Sequence, residues 1–177
     1  MRWEASDEEA GTAIFRCVEA LAGDLDRVGA FAFCEGPGSI LGIRSAAMAL
    51  RVWQVVRPRP ILAYQSLALV ASALEKSDVL VIADARRGVW HGYRKGLGLQ
   101  RLAAAEVGPG AVMPEPFRHW APLPPGAGLT PYVVADLIAR AMDAPLLHET
   151  TAPDAFLHQE PEYVRWKPQI HRAPGSD

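Results

Sequence analysis

Two short segments of this chain combine the residue types and spacing that chemistry needs, Glu35-Gly-Pro-Gly-Ser39 and Asp84-Ala-Arg86-Arg87. The first is a glycine-rich turn between an apolar run and a helical pattern. There the backbone N–H groups of Gly36, Gly38 and Ser39 can hold an anion or a nucleotide phosphate. It has neither the lysine of a P-loop nor the spacing of a dinucleotide fingerprint, so a sharp turn requiring small residues accounts for it better than a phosphate site does. The second segment ends another apolar run, where α/β proteins often place functional groups. Asp84 either takes part in binding or caps nearby amides and pairs with an arginine.

Other chemistries lack their parts. A serine or cysteine nucleophile needs a neighbouring base, yet the five histidines, His91, His119, His148, His158 and His171, are scattered through mostly irregular segments. No two of them stand three or four residues apart, the spacing that would put a pair of metal ligands on one helix face. Neither a metal nor a cofactor is expected. Two basic clusters remain: Arg51, Arg57 and Arg59, and a tail with Arg165, Lys167, His171 and Arg172 beside Tyr163 and Trp166. Each reads as solvated surface, although the aromatic interleaving of the tail also suits an RNA or protein partner.

The elements that must position these residues follow from composition and periodicity. At 177 residues, half of them hydrophobic and 21% charged, the chain can bury a core without staples, and a net charge of −2 gives no general attraction to phosphate backbones. Cys17 and Cys34 both lie in apolar stretches, which fits a reducing compartment better than a disulfide framework. The polar, acidic start and the lack of a membrane-length apolar run predict a cytoplasmic, unanchored protein.

Residues 7–22 read as an amphipathic helix capped by Ser6 or Asp7. The run 28–34 reads as a strand buried on both faces, and 42–56 as a second helix stopped by Pro58 and Pro60. Next come a short strand at 60–63, a helix at 67–75 capped by Ser66, and a strand at 79–83, so the order β-α-β-α-β predicts an open α/β sheet. Beyond Asp84 the alternation in 88–94 and 97–102 predicts an antiparallel hairpin turning near Lys95-Gly96. Residues 108–128 are rich in Pro and Gly, 130–141 read as a helix with Thr130 at its cap, and the chain from Pro145 is irregular. The natural boundary lies near residue 77, giving lobes 1–77 and 78–177.

Taken together, Phe31-Ala-Phe-Cys-Glu-Gly-Pro-Gly-Ser-Ile-Leu-Gly-Ile-Arg44, then Arg59-Pro60 and Ser66-Leu67, resemble the TsaB (YeaZ) family pattern of an apolar strand, GPGSFTGLR, a helix, a proline and an SLEALA-like stretch. Val81-Ile-Ala-Asp84-Ala-Arg86-Arg-Gly-Val-Trp-His-Gly-Tyr93 is similar to that family's LDARMGEVYxxxY strand pair, and Tyr163-Val-Arg165 resembles its YLR. The resemblance is good over residues 7–103 and loose elsewhere, with Gly42, Arg44, Asp84 and Arg86 as its motif residues.

What the resemblance implies is an actin-like ATPase (ribonuclease H-like) fold of two small lobes and a part in making N6-threonylcarbamoyladenosine at position 37 of tRNA. Proteins of the TsaB family pair there with a catalytic TsaD-like subunit through the helices of the N-terminal lobe, and a TsaE-like ATPase joins them; tRNA is met through the complex. TsaD-like relatives carry two metal-binding histidines where this chain has Ser66 and Val70, which implies a non-catalytic subunit. The family also has three strands ahead of its first helix, so the resemblance implies an open edge at strand 28–34, covered by upstream sequence or by another chain.

On this reading Ile14, Val18 and Leu21 of the first helix and Ile43, Ala46, Ala47 and Leu50 of the second form the partner face, with Ser39, Gly42 and Arg44 shaping the lobe. A chain whose helices dock a relative can also dock a copy of itself, as a homodimer. The alternative is an enzyme of the glycoprotease family, either a nucleotide-binding phosphotransferase using the Gly36–Ser39 turn or a metallopeptidase-like protein.

Overall fold

The computed structural model describes residues 2–76, 78–141 and 145–156. Along the chain run α1 (Ala10–Ala22), β1 (Phe31–Gly36), α2 (Ile40–Val56), β2 (Ile61–Gln65), α3 (Ser66–Ala73), β3 (Val81–Asp84), β4 (Val89–Arg94), β5 (Gly98–Ala103), β6 (Val112–Pro114), β7 (Gly128–Thr130), α4 (Val134–Ala141) and β8 (His148–Glu149). None of the described helices is long and apolar enough to cross a membrane.

The strands form two sheets, not the single open sheet that the β-α-β-α-β order predicts. In the first, β1 and β2 run parallel with α2 as their crossover, and β8 lies antiparallel on the other side of β2. The second has the order β5-β4-β3-β6-β7, an antiparallel meander of β3, β4 and β5 extended by parallel β6 and β7. The reason for the split lies in α3, whose Ser-Leu-Ala-Leu-Val-Ala sequence is apolar on every side. Such a helix must be covered all round. Residues 66–71 are all buried, with β1 and β2 on one side and the meander on the other. Because β8 returns to β2, the first sheet also draws on chain from beyond residue 78.

Three apolar clusters hold this arrangement. Phe33, Ala47, Leu50, Ile61 and Ala63 join α2 to the first sheet. Tyr64, Leu67, Val70, Val81, Ala83 and Leu137 pack around α3 and α4. Ile82, Trp90, Val107, Ala111 and Met113 fill the outer side of the meander. Within it Gly92 is a close approach: a Cβ there would stand 2.6 Å from Leu102 Cδ1.

Several element ends differ from the sequence reading, for local reasons. The first helix begins at Ala10, because Ser6 Oγ accepts from the N–H of Glu8 in a turn ahead of it and Glu9 takes the N-cap position. Ser66 is the first residue of α3 and not its cap, its hydroxyl being used elsewhere. Thr130 ends β7, where its carbonyl accepts from the Glu115 N–H, and this delays α4 to Val134. Among the described residues β1 has a strand on one side only, and α1, although amphipathic, has no fully buried residue.

Candidate protein-docking surface

The α2 helix is fixed at both ends by its own sequence. Ser39 Oγ accepts the Gly42 N–H at 3.3 Å, and the Ser39 carbonyl accepts the Ile43 N–H at 2.9 Å. At the other end Pro58 forbids continuation. There the Gln54 side chain clamps the departing chain, donating to the Arg59 carbonyl at 2.6 Å and accepting the Arg59 N–H at 2.7 Å. Between these ends one side of α2 faces the sheet through Ile43, Ala46, Ala47, Leu50 and Trp53.

The sheet-facing side is the one the sequence reading assigns to a partner, and the structure corrects it. Ala47 and Leu50 are 2% and 6% exposed, and Ile43 and Ala46 are packed against the same cluster. All four hold α2 onto β1 and β2. Of the α1 candidates, Ile14, Val18 and Leu21 are half-buried. Apart from Ile40 at its first position, the large apolar residues that α2 presents to solvent are instead Leu41, Met48, Val52, Val55 and Val56, each more than half exposed, with Val55 at 87%. At 100° per residue they fall on one side of the helix, turned away from the sheet. Phe15 of α1, also exposed, continues this surface. The signal for it was present in the sequence, since α2 carries more apolar residues than one sheet can cover.

Between α1 and α2 lies an open groove of about 410 Å³, lined by Gly11 and Phe15 on one helix and Leu41, Met48 and Val52 on the other. An aromatic stack fixes the helix pair: Phe15 meets Trp53 edge-on at 5.9 Å, Trp53 stacks on Phe31 of β1 at 5.4 Å, and the Arg59 guanidinium lies 5.4 Å from the Phe31 ring. Arg44, also lining the groove, lies 3.7 Å from Asp154, which meets Arg51 at 3.4 Å. The Arg51 Nε also donates to the Pro153 carbonyl. The surface is therefore an apolar strip flanked by tethered charge, the composition of a protein interface with a dry centre and a polar rim. A Cβ on Gly42 would meet only ordinary contacts, at 3.6 Å to Ser39 and 3.8 Å to Ala10.

The Gly36–Ser39 turn is a scaffold in this geometry. Its Gly36-Pro37 peptide is cis. The Ser66 hydroxyl donates to the Pro37 carbonyl at 2.6 Å, and Ser39 caps α2. Glu35, directly before the turn, accepts from Gln65 Nε2 at 3.2 Å and stands 3.5 Å from His148 Nε2. Its carboxylate opposes a second anion nearby. Burial pushes the thiol of Cys34 up from its ordinary value, and burial likewise raises Tyr64 and Tyr132. Ser66 and Val70 are each 1% exposed.

Asp84 holds a loop together. Its carboxylate accepts from the N–H groups of Arg86 (2.5 Å), Trp120 (2.7 Å) and Ala121 (3.0 Å). Desolvation tends to raise its pKa, but these donors outweigh it and hold the carboxyl below its ordinary range. Arg86 sends its guanidinium over the Trp120 ring, 4.3 Å from the centroid. Of the histidines, His119 bonds the Ala121 carbonyl through Nδ1, while His158, His171 and the basic aromatic tail lie outside the described residues.

Two solved structures resemble this arrangement. One, an uncharacterized protein with similarity to peptidase YeaZ from Pseudomonas aeruginosa, is 18% identical over 87% of this chain and 82% of its own, with a TM-score of 0.50. The other, YeaZ from Pseudomonas aeruginosa, is 23% identical over 74% of each chain, also with a TM-score of 0.50. The chain has the YeaZ fold. That fold is of the ribonuclease H-like, actin-like type, as the sequence resemblance implies. No protein-family model matches the chain, and no curated protein matches it significantly.

Proposed function

We propose that this chain is a TsaB-type, non-catalytic subunit of the machinery that makes N6-threonylcarbamoyladenosine in tRNA, and that it binds and stabilises a TsaD-like catalytic subunit. The observation that carries the reading is the exposed apolar side of α2 beside the α1 groove. Five large apolar residues of one helix stand in water there while the opposite side of the same helix already satisfies the sheet. Apolar surface of that extent is the mark of an interaction site. The ordered Gly36-Pro-Gly-Ser39, Gly42-Ile-Arg44 and Asp84-Ala-Arg86 motifs and the YeaZ fold support the choice of partner.

The docked partner covers Leu41, Met48 and Val52 with its own helices, and a TsaE-like ATPase joins the pair. Without the partner, the same surface closes on a second copy of the chain. Co-expression with a TsaD-like protein of the same organism tests the reading: the two co-purify, and Met48→Asp abolishes the co-purification. A wild-type chain that does not co-purify, or a Met48→Asp variant that does, overturns it.

A further inference from the structure

The turn between β3 and β4 passes through Arg86, Arg87 and Gly88 at φ values of 67°, 54° and 73°. Glycine takes this left-handed conformation freely, but two arginines in succession do not, so the turn is held by its surroundings. The holding group is Asp84, which bonds the Arg86 N–H in the turn and the Trp120 and Ala121 N–H groups across 36 and 37 residues of sequence. One carboxylate thus fixes two loops against each other.

That junction keeps Arg86, Arg87, Arg118, His119 and Trp120 all exposed. Trp120 remains 60% exposed although the Arg86 guanidinium covers part of its ring. Among the described residues none of the three arginines forms an ion pair with a carboxylate. On a chain of net charge −2 this is a local concentration of positive charge around an aromatic face. Loose surface loops do not hold an indole upright; here its backbone is anchored and a cation is already stacked on it.

We propose that this junction is a stacking platform for an unpaired base of single-stranded nucleic acid, with Arg87 and Arg118 meeting the flanking phosphates. A tryptophan ring offers every base a π-face, and a stacked guanidinium extends the platform while adding charge. A duplex keeps its bases stacked on one another and has none to offer, so the platform favours single strands. The inference is independent of the docking surface, which lies on the other sheet.

The test is fluorescence anisotropy of labelled single-stranded RNA and DNA oligonucleotides, and of the matching duplexes, titrated with the full chain. The wild type binds a single strand more tightly than its duplex, and whichever of RNA and DNA binds more tightly names the source of the base. Trp120→Ala weakens binding about tenfold or more, whereas Trp120→Phe, which keeps a ring, stays within a few-fold. Arg87→Ala and Arg118→Ala each lower the slope of log affinity against log salt by about 0.7, whereas Arg27→Ala, remote from the platform, leaves it unchanged. Circular dichroism of Trp120→Ala confirms that a loss of binding is not a loss of fold. The proposal is overturned if no strand binds at low salt, if Trp120→Ala binds as tightly as the wild type, or if the duplex is preferred. It is equally overturned if a phosphotyrosyl peptide binds with the same variant dependence and nucleic acid does not.

Discussion

Two aspartates placed on α2 separate its two apolar sides. Ala47→Asp puts a carboxylate at a residue 2% exposed, packed among Phe33, Leu50, Ile61 and Ala63 with no cation in the cluster. The group must either stay charged without a partner or take up a proton, and it must also displace its neighbours. The cost is roughly 3–5 kcal/mol, a large share of the 5–15 kcal/mol that holds a typical domain folded. Val52→Asp puts the same group at a residue 55% exposed in the same helix. Valine and aspartate differ little in helix propensity, so the change in stability is within about 0.5 kcal/mol. In a chain of this size each kcal/mol moves Tm by about 2–4 °C, so Ala47→Asp melts about 6–20 °C below the wild type and Val52→Asp within about 2 °C of it. Under the proposed function, binding to a TsaD-like partner ranks differently. Val52→Asp buries an unpaired charge at the centre of the interface and costs about 2 kcal/mol or more, roughly thirtyfold in affinity. Thermal melts by circular dichroism and calorimetric titration with the partner give both numbers. A Val52→Asp variant that melts far below the wild type refutes the assignment of the two faces. One that melts normally and binds normally refutes the docking surface.

Asp84 gives a pH prediction. Its folded-state pKa lies below the ordinary 3.8, so the folded chain binds this proton less readily than the unfolded chain does. The stability it contributes is complete above the ordinary carboxyl range and is lost as the pH falls below about 4 through the folded value. Asp84→Asn therefore destabilises at neutral pH by about 1 kcal/mol, solvent screening the partly exposed carboxylate, and urea midpoints of variant and wild type converge in acid; a gap independent of pH contradicts this. Two glycines rank by their neighbours. Gly126 has φ +78° and a Cβ there would lie 2.9 Å from Pro109 Cβ, whereas at Gly92 the clash is with the mobile end of Leu102. Gly126→Ala costs about 2 kcal/mol or more and Gly92→Ala about 1, and denaturant titrations that reverse the order refute the packing argument. Sedimentation equilibrium of the isolated chain shows a dimer that Met48→Asp converts to monomer; a wild type that stays monomeric at high concentration removes the self-docking reading.

Local sequence determined a good part of this molecule, because the forces involved act within a few residues. Ser39 and Pro58 bound α2 through a cap and a missing N–H, the alternation after Asp84 makes the hairpin, and the apolar run at 28–34 supplies a parallel strand, although it begins only at Phe31 and buries only Phe33 and Gly36 instead of both faces. The YeaZ fold was legible in the order of the glycine turn, Arg44 and the Asp84 motif. Tertiary structure alone decided which side of α2 faces the sheet. A helix apolar around most of its circumference has no unique inward face until something packs against it, which is why Ala47 and Leu50 went to the core and Met48 and Val52 to solvent. It also decided that α3 lies between two sheets, because periodicity shows that a segment needs cover but not which strands supply it. The same limit hid the bonds from Asp84 to Trp120 and Ala121. Their partners are 36 and 37 residues apart in sequence, and the three-residue strand β6 that leads to them is too short to carry a pattern of its own.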